Sequence, residues 1–211
     1  MESLGLDPTI FIVDDDDTVR NSLSLLLETA GFKKTASYGS SDAFLAEAAP
    51  QAGDCLLLDI HMPGMDGLEL QEELARRGIG VPVIMITGHG DVPIAVRAMK
   101  AGAADFIEKP FSEDILLASI RRALALGAAA QRKDQMNGDI ARRLATLTER
   151  EREVLEGMVA GHPNKLIAHH LGISPRTVEI HRARVMEKMQ AQSLSALVRM
   201  ALAVGIAPKV S

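Results

Sequence analysis

Two textures alternate along the first 125 residues. Short runs rich in Ile, Val and Leu, at Thr9–Val13, Cys55–Leu58 and Val81–Ile86, predict strands, with weaker ones at Lys34–Tyr38 and Asp105–Glu108. Between them the apolar residues recur at helical spacing. Val19, Leu23, Leu26 and Leu27 do so in 18–30, which Gly31 stops, and further helices are predicted over 41–48, 68–77, 93–101 and 113–126. Ser40 or Ser41 caps the second helix, and Gly78 and Gly102 close the third and fourth. Five βα units in series argue for an open, doubly wound parallel sheet, flavodoxin-like in kind, in which ligands sit at the carboxyl ends of the strands.

The texture changes after residue 126. A stretch rich in Ala, Gln, Arg and Lys, 128–145, reads as a helical or partly helical linker, either separate from the preceding helix or extending it, with Asn137-Gly138 as its expected break. Beyond Leu147 no strand signal remains, and helical patterns cover 149–160, 164–171, 175–189 and 193–204. The expected organisation is therefore a (βα)5 domain over 1–125, a helical linker over 126–143 and an all-α, four-helix domain over 144–211.

Charge sharpens the division. The chain of 211 residues carries a net charge of −5. Residues 139–211 hold 11 Lys+Arg against 7 Asp+Glu, a balance of +4, while residues 1–138 hold 12 against 21, a balance of −9. A basic end suits nucleic acid and an acidic end suits a cation. Cys55 is the single cysteine and lies in an apolar run, which makes it a buried core thiol and excludes a disulfide within the chain. The N-terminal MESLGLDP has neither a basic nor an apolar signal region, and no uncharged run approaches a membrane span. A cytoplasmic protein without membrane contact is expected.

The acidic residues fall where a parallel sheet gathers its strand ends. Asp14 and Asp15 follow the first strand and Asp59 follows the third, in LLLDIHMPGMDG. Two carboxylates at about 4 Å and an effective dielectric near 20 repel by roughly 4 kcal/mol, so the cluster needs a cation. Oxygen-rich ligands suit Mg²⁺, which uses one or two carboxylates and keeps waters or phosphate oxygens. Thr87 ends the fourth strand and Lys109 ends the fifth. A hydroxyl and an ammonium beside a carboxylate can hold the oxygens of a phosphoryl group, and the carboxylate can act as nucleophile in phosphoryl transfer. Pro63, Gly64 and Gly67 read as a turn shaping the loop beyond Asp59. Asp16 and Asp17 precede a helix, where either caps backbone N–H groups and both favour the positive end of the dipole. His89 reads as exposed and without a role.

The wording VDDD, LLLDIHMPGMDG, ITGHGD and DFIEKPF, in that order, resembles the receiver domain of two-component response regulators over about residues 8–125. The resemblance implies that Asp59 is the phosphoacceptor and that Asp14 and Asp15 are acidic pocket residues, with Asp15 a direct Mg²⁺ ligand. It implies the backbone carbonyl of His61 as a further ligand, so that the His61 imidazole need not matter. Thr87 is implied as the switch hydroxyl, Lys109 as the phosphate partner and Phe106 as the aromatic that changes rotamer with Thr87.

At the basic end, 164–171, Gly172 and a helix opened by Ser174-Pro175 make a helix-turn-helix pattern. Val178, Val185 and Met189 share one face of the last helix. Arg176, Glu179, Ile180, Ala183 and Arg184 lie on or near the other and suit base edges in the major groove. Lys165, Thr177, Arg182 and Lys188 are better placed for phosphates, which supply affinity rather than sequence choice. His169 and His170, adjacent on a helix, make a poor chelating pair. The segments LTEREREVL, GHPNKLIAHHLGIS and TVEIHRARVMEKM resemble the LuxR-type DNA-binding domain over about 144–208, departing from it at Leu166, where that family usually carries Glu.

Together the two parts resemble the NarL/FixJ class, and the wording is nearest to its FixJ branch. This resemblance implies a transcriptional regulator and no enzyme, apart from slow self-dephosphorylation. A sensor histidine kinase would phosphorylate Asp59. A homodimer would form through the face of the fourth helix, fifth strand and fifth helix and would bind a pseudo-palindromic operator in double-stranded DNA. RNA polymerase would be a partner, and oxygen-responsive or nitrogen-fixation genes the targets.

Overall fold

A computed structural model describes residues 7–51, 53–88 and 92–206. The chain divides into two compact units, residues 1–131 and 132–211. The described residues of the first unit hold five strands, β1 (Thr9–Val13), β2 (Lys34–Tyr38), β3 (Cys55–Asp59), β4 (Val83–Thr87) and β5 (Asp105–Glu108). They alternate with α1 (Asp17–Thr29), α2 (Ser41–Glu47), α3 (Gly67–Arg76), α4 (Val92–Lys100) and α5 (Glu113–Ala145). The sheet is parallel throughout in the order β2-β1-β3-β4-β5. That is the doubly wound architecture predicted, and its strand order reverses direction at β1 and β3, where such sheets place their sites.

Side-chain alternation explains the layers. Ile10, Ile12, Cys55, Leu57, Ile84, Ile86 and Ile107 pack on one face with Leu23 and Leu27 of α1 and Leu116, Ile120 and Ala123 of α5. Phe11, Val13, Leu56, Leu58, Val83 and Met85 pack on the other with Phe44 of α2, Leu70 and Leu74 of α3 and Ala98 of α4. All five residues of β3 and of β4 are buried, whereas β2 is an exposed edge, consistent with its weak apolar signal. Burial pushes the Cys55 thiol pKa up to about 12.

Three local expectations need correction. β4 starts at Val83, after Pro82, rather than at Val81. A proline lacks the N–H that a central strand needs. Gly67 is not part of a turn but the first residue of α3, spanned by the capping box of Asp66 and Glu69. The expected break at Asn137-Gly138 does not occur, because α5 runs unbroken for 33 residues. One glycine costs a helix only about 1 kcal/mol, and the surrounding Ala, Gln, Arg and Lys favour propagation. His89 lies outside the described residues.

In the second unit α6 (Glu149–Val159), α7 (Asn164–Leu171), α8 (Pro175–Lys188) and α9 (Leu194–Ala203) enclose one core built on Val154, Leu155, Ile167, Val178, Val185, Met189 and Leu197. Ile140, from the last turns of α5, belongs to this core. Thr148 and Glu151 form a capping box at the start of α6. Gly172 closes α7 in the left-handed conformation at φ 64°, and Ser174 caps α8 ahead of Pro175. Packing of α6 on α7 leaves no room at Gly157, where an added Cβ would stand 2.8 Å from Ile167.

Candidate functional site

Register brings the polar residues of the first unit together. Val13 pairs with Leu58, Asp59 with Ile86 and Thr87 with Glu108, so the residues ending or following β1, β3, β4 and β5 share one edge of the sheet. There the Lys109 ammonium donates to Asp14 Oδ2 at 2.8 Å and to Asp59 Oδ1 at 2.9 Å. The second Asp59 oxygen, Oδ2, accepts from the His61 backbone N–H at 2.7 Å, and Asp14 Oδ1 accepts from that of Asp16 at 2.9 Å. Asp14 and Asp59 are buried, Thr87 is wholly so, Phe106 is half-buried against the core beside α4, and Asp15 is exposed. The Lys109–Pro110 peptide is cis, and the Lys109 backbone N–H donates to the Thr87 carbonyl at 2.7 Å.

The electrostatics follow from burial and pairing. Burial raises the Asp59 carboxyl above its ordinary value, and the hydrogen bond from Lys109 only partly offsets this. Burial alone would lower the Lys109 ammonium, but its hydrogen bonds to Asp14 and Asp59 outweigh that and hold it above its usual value. One ammonium therefore serves two carboxylates, which leaves a net negative charge before Asp15 is counted. Among the described residues no three carboxylate, imidazole or thiol groups stand close enough to form a metal cage unaided. Mg²⁺ does not require one, because one or two carboxylates with water and phosphate oxygens satisfy it. The hard oxygen donors and the unbalanced charge fit that ion.

The first-helix aspartates divide as the pattern suggested. Asp16 is the cap of α1, accepting from the Thr18 N–H at 2.7 Å, and that hydrogen bond lowers its carboxyl pKa. Asp17 lies in the first turn and pairs with Arg20.

Three contacts around the site are not evident from the sequence. Arg20 donates to the Asp14 carbonyl at 2.6 Å and so braces the loop after β1. Gly67 presses on the phosphoacceptor candidate, since an added Cβ would stand 2.2 Å from the Asp59 carbonyl oxygen. The ring Nδ1 of His61 lies 3.3 Å from Thr87 Oγ1. Spacing within LLLDIHMPGMDG hinted at Gly67, but nothing local marked the other two.

The second unit displays its polar residues differently. On α8, Val178, Val185 and Met189 are buried, while Arg176, Glu179, Ile180, Ala183 and Arg184 are exposed, with Ile180 keeping 49% of its surface. Thr177 and Arg182 are half-buried, and Lys165 is exposed on α7, as is Leu166. Lys188 departs from the expectation of a phosphate-facing lysine. Its ammonium donates to Glu151 Oε2 at 2.6 Å and to the Thr146 carbonyl at 3.1 Å, which ties the half-buried side chain to the start of α6. The Lys188 hydrogen bond holds the Glu151 carboxyl below its usual value, helped by the Thr148 N–H. His169 and His170 have rings 6.1 Å apart, and His162 stands 5.7 Å from His170.

Comparison with known proteins covers both units. Residues 10–121 match the response regulator receiver domain, and residues 145–201 match the bacterial regulatory proteins of the luxR family. The transcriptional regulatory protein FixJ of Azorhizobium caulinodans is 51% identical over 199 residues, spanning 94% of each chain. FixJ of Rhizobium meliloti is 52% identical over 202 residues, 96% of this chain and 98% of that one. Among solved structures, the response regulator StyR aligns with a TM-score of 0.82 at 42% identity, covering 93% of this chain and 99% of its own. Full-length FixJ of B. japonicum aligns with a TM-score of 0.58 at 45% identity, covering 96% and 99%.

Proposed function

The chain belongs to the response regulators that join a receiver domain to a luxR-type DNA-binding domain, and from that premise we propose that Asp59 is its phosphoacceptor. Phosphorylation-dependent control of transcription is the function of this family, and its two domains imply a sensor kinase and DNA as partners. The observation that carries the assignment is the Lys109 ammonium held between Asp14 and Asp59 at the carboxyl edge of a parallel sheet.

The phosphoryl donor is a phosphohistidine of a sensor histidine kinase. An Asp59 carboxylate oxygen attacks phosphorus. The O–P bond forms as the N–P bond breaks, and the donor imidazole keeps the electron pair. Asp14, Asp15 and Asp59 with the His61 backbone carbonyl would hold Mg²⁺, which when bound supplies positive charge at the phosphoryl oxygens. Lys109 neutralises another of those oxygens and Thr87 donates its hydroxyl proton to a third. The added charge, about −2, draws both side chains inward, and Phe106 follows into the space vacated. Each chain takes one phosphoryl group and loses it slowly, so this is a switch and not a turnover enzyme.

The altered face is that of α4, β5 and α5. Val92, Val96 and Met99 of α4 and Ile115 of α5 are exposed apolar side chains there, which supports a homodimer contact. A two-fold dimer presents two α8 helices to successive major grooves of a pseudo-palindromic operator. Arg176, Glu179, Ile180, Ala183 and Arg184 read bases, while Lys165, Thr177 and Arg182 hold phosphates. Similarity to FixJ supports oxygen-responsive or nitrogen-fixation genes as targets and RNA polymerase as a partner. Incubation with acetyl phosphate and Mg²⁺ tests the core of this reading by intact mass. One phosphoryl group per wild-type chain and none on Asp59→Asn is expected; equal modification of both would overturn it.

A further inference from the structure

His61 touches both ends of the proposed switch. Its backbone N–H donates to Asp59 Oδ2 at 2.7 Å, and its ring Nδ1 faces Thr87 Oγ1 at 3.3 Å. The Thr87 carbonyl accepts from the Lys109 N–H at 2.7 Å, and the Lys109 ammonium returns to Asp59 Oδ1 at 2.9 Å. Four contacts thus close a loop through phosphoacceptor, histidine, hydroxyl and lysine.

A threonine hydroxyl has one proton to give. We infer that His61 is a positioning residue that holds the Thr87 hydroxyl in the resting chain, with Thr87 O–H donating to Nδ1 of an imidazole that carries its own proton on Nε2. The exposed ring leaves that Nε2–H in water. The same hydroxyl proton is the one Thr87 must give to a phosphoryl oxygen on Asp59, so the two hydrogen bonds exclude each other and the imidazole competes with the phosphoryl group. This inference rests on Asp59 as phosphoacceptor. It gives the His61 side chain a role that its backbone carbonyl, the only part implied by family resemblance, does not have.

The competition is measurable with beryllofluoride, a phosphoryl mimic, titrated into the full chain at saturating Mg²⁺ and followed by the fluorine NMR signal of the bound mimic and by the ring signals of Phe106. His61→Phe keeps an exposed ring without the acceptor, and removing a net neutral hydrogen bond should tighten beryllofluoride binding by about 2- to 12-fold. In a Thr87→Val background the same replacement should give no gain, because the competing proton is already absent. Unchanged or weaker binding by His61→Phe, or an equal gain in the Thr87→Val background, would overturn the inference. The Asp59→Asn chain separates the two levels: wild-type binding there would overturn the phosphoacceptor reading itself, whereas loss of binding leaves the His61 comparison as the deciding result.

Discussion

The two units hold their charges in opposite ways. In the receiver unit Asp14, Asp59 and Lys109 are drawn from three strand ends into one buried edge. In the helical unit the one buried carboxylate among the described residues, Glu151, is tied to Lys188 and to the Thr148 cap, while Arg176, Glu179 and Arg184 stand separately in solvent. A converged site concentrates its chemistry in one or two atoms. A dispersed surface spreads binding over many small contacts, and its buried charge maintains the fold. The same residue types therefore predict steep losses in one unit and graded losses in the other.

Substitutions should expose that contrast in order of size. Replacing Lys109 with Ala removes the ammonium shared by two carboxylates and should lower phosphorylation-driven activation by about 100-fold, measured as the gain in DNA affinity on phosphorylation. On the dispersed surface, Arg176→Ala or Glu179→Ala should cost about 1–3 kcal/mol at one operator position and relax preference there, read by binding to a set of single-base variants. Lys165→Ala or Arg182→Ala should weaken all sequences alike and reduce the salt slope by about 1. Glu151→Ala should destabilise the helical unit by about 1–2 kcal/mol through its cap, observed by thermal unfolding, with the receiver transition unmoved.

The pH dependence of that last unit has a definite sign. The folded Glu151 pKa lies below its unfolded value of about 4.3, so the unfolded state binds more protons in acid. The stabilisation is complete above that value and is lost as pH falls through the folded pKa. Wild-type unfolding should steepen below about pH 4.3, and Glu151→Gln should flatten that limb. A smaller effect belongs to the receiver core. With its thiol pKa raised to about 12, Cys55 is ionised to about one part in ten thousand at pH 8, so iodoacetamide should label the unfolded chain and spare the folded one.

Much of this is legible in the sequence. Strand ends on one edge follow from parallel βα units, so Asp14, Asp59, Thr87 and Lys109 could be brought together from topology alone. The buried face of α8 followed from 3.6-residue periodicity through Val178 and Val185. What stayed hidden depends on contacts remote in sequence. Lys188 meets Glu151 across 37 residues, and His61 meets Thr87 across 26. The unbroken α5 was hidden for another reason: local Asn-Gly chemistry argues for a turn, while Ile140 buried in the helical core favours keeping the far turns wound.

The central claim is that phosphoryl charge on Asp59 governs the affinity of α8 for DNA. Its most direct test is the affinity of the full chain for an operator fragment, isolated by selection from random DNA, with and without acetyl phosphate and Mg²⁺, for wild type and Asp59→Asn at one salt concentration. A gain on the order of 10-fold or more in the wild type, and none in Asp59→Asn, is the predicted result. Equal affinity in both states, or the same gain in Asp59→Asn, would contradict it.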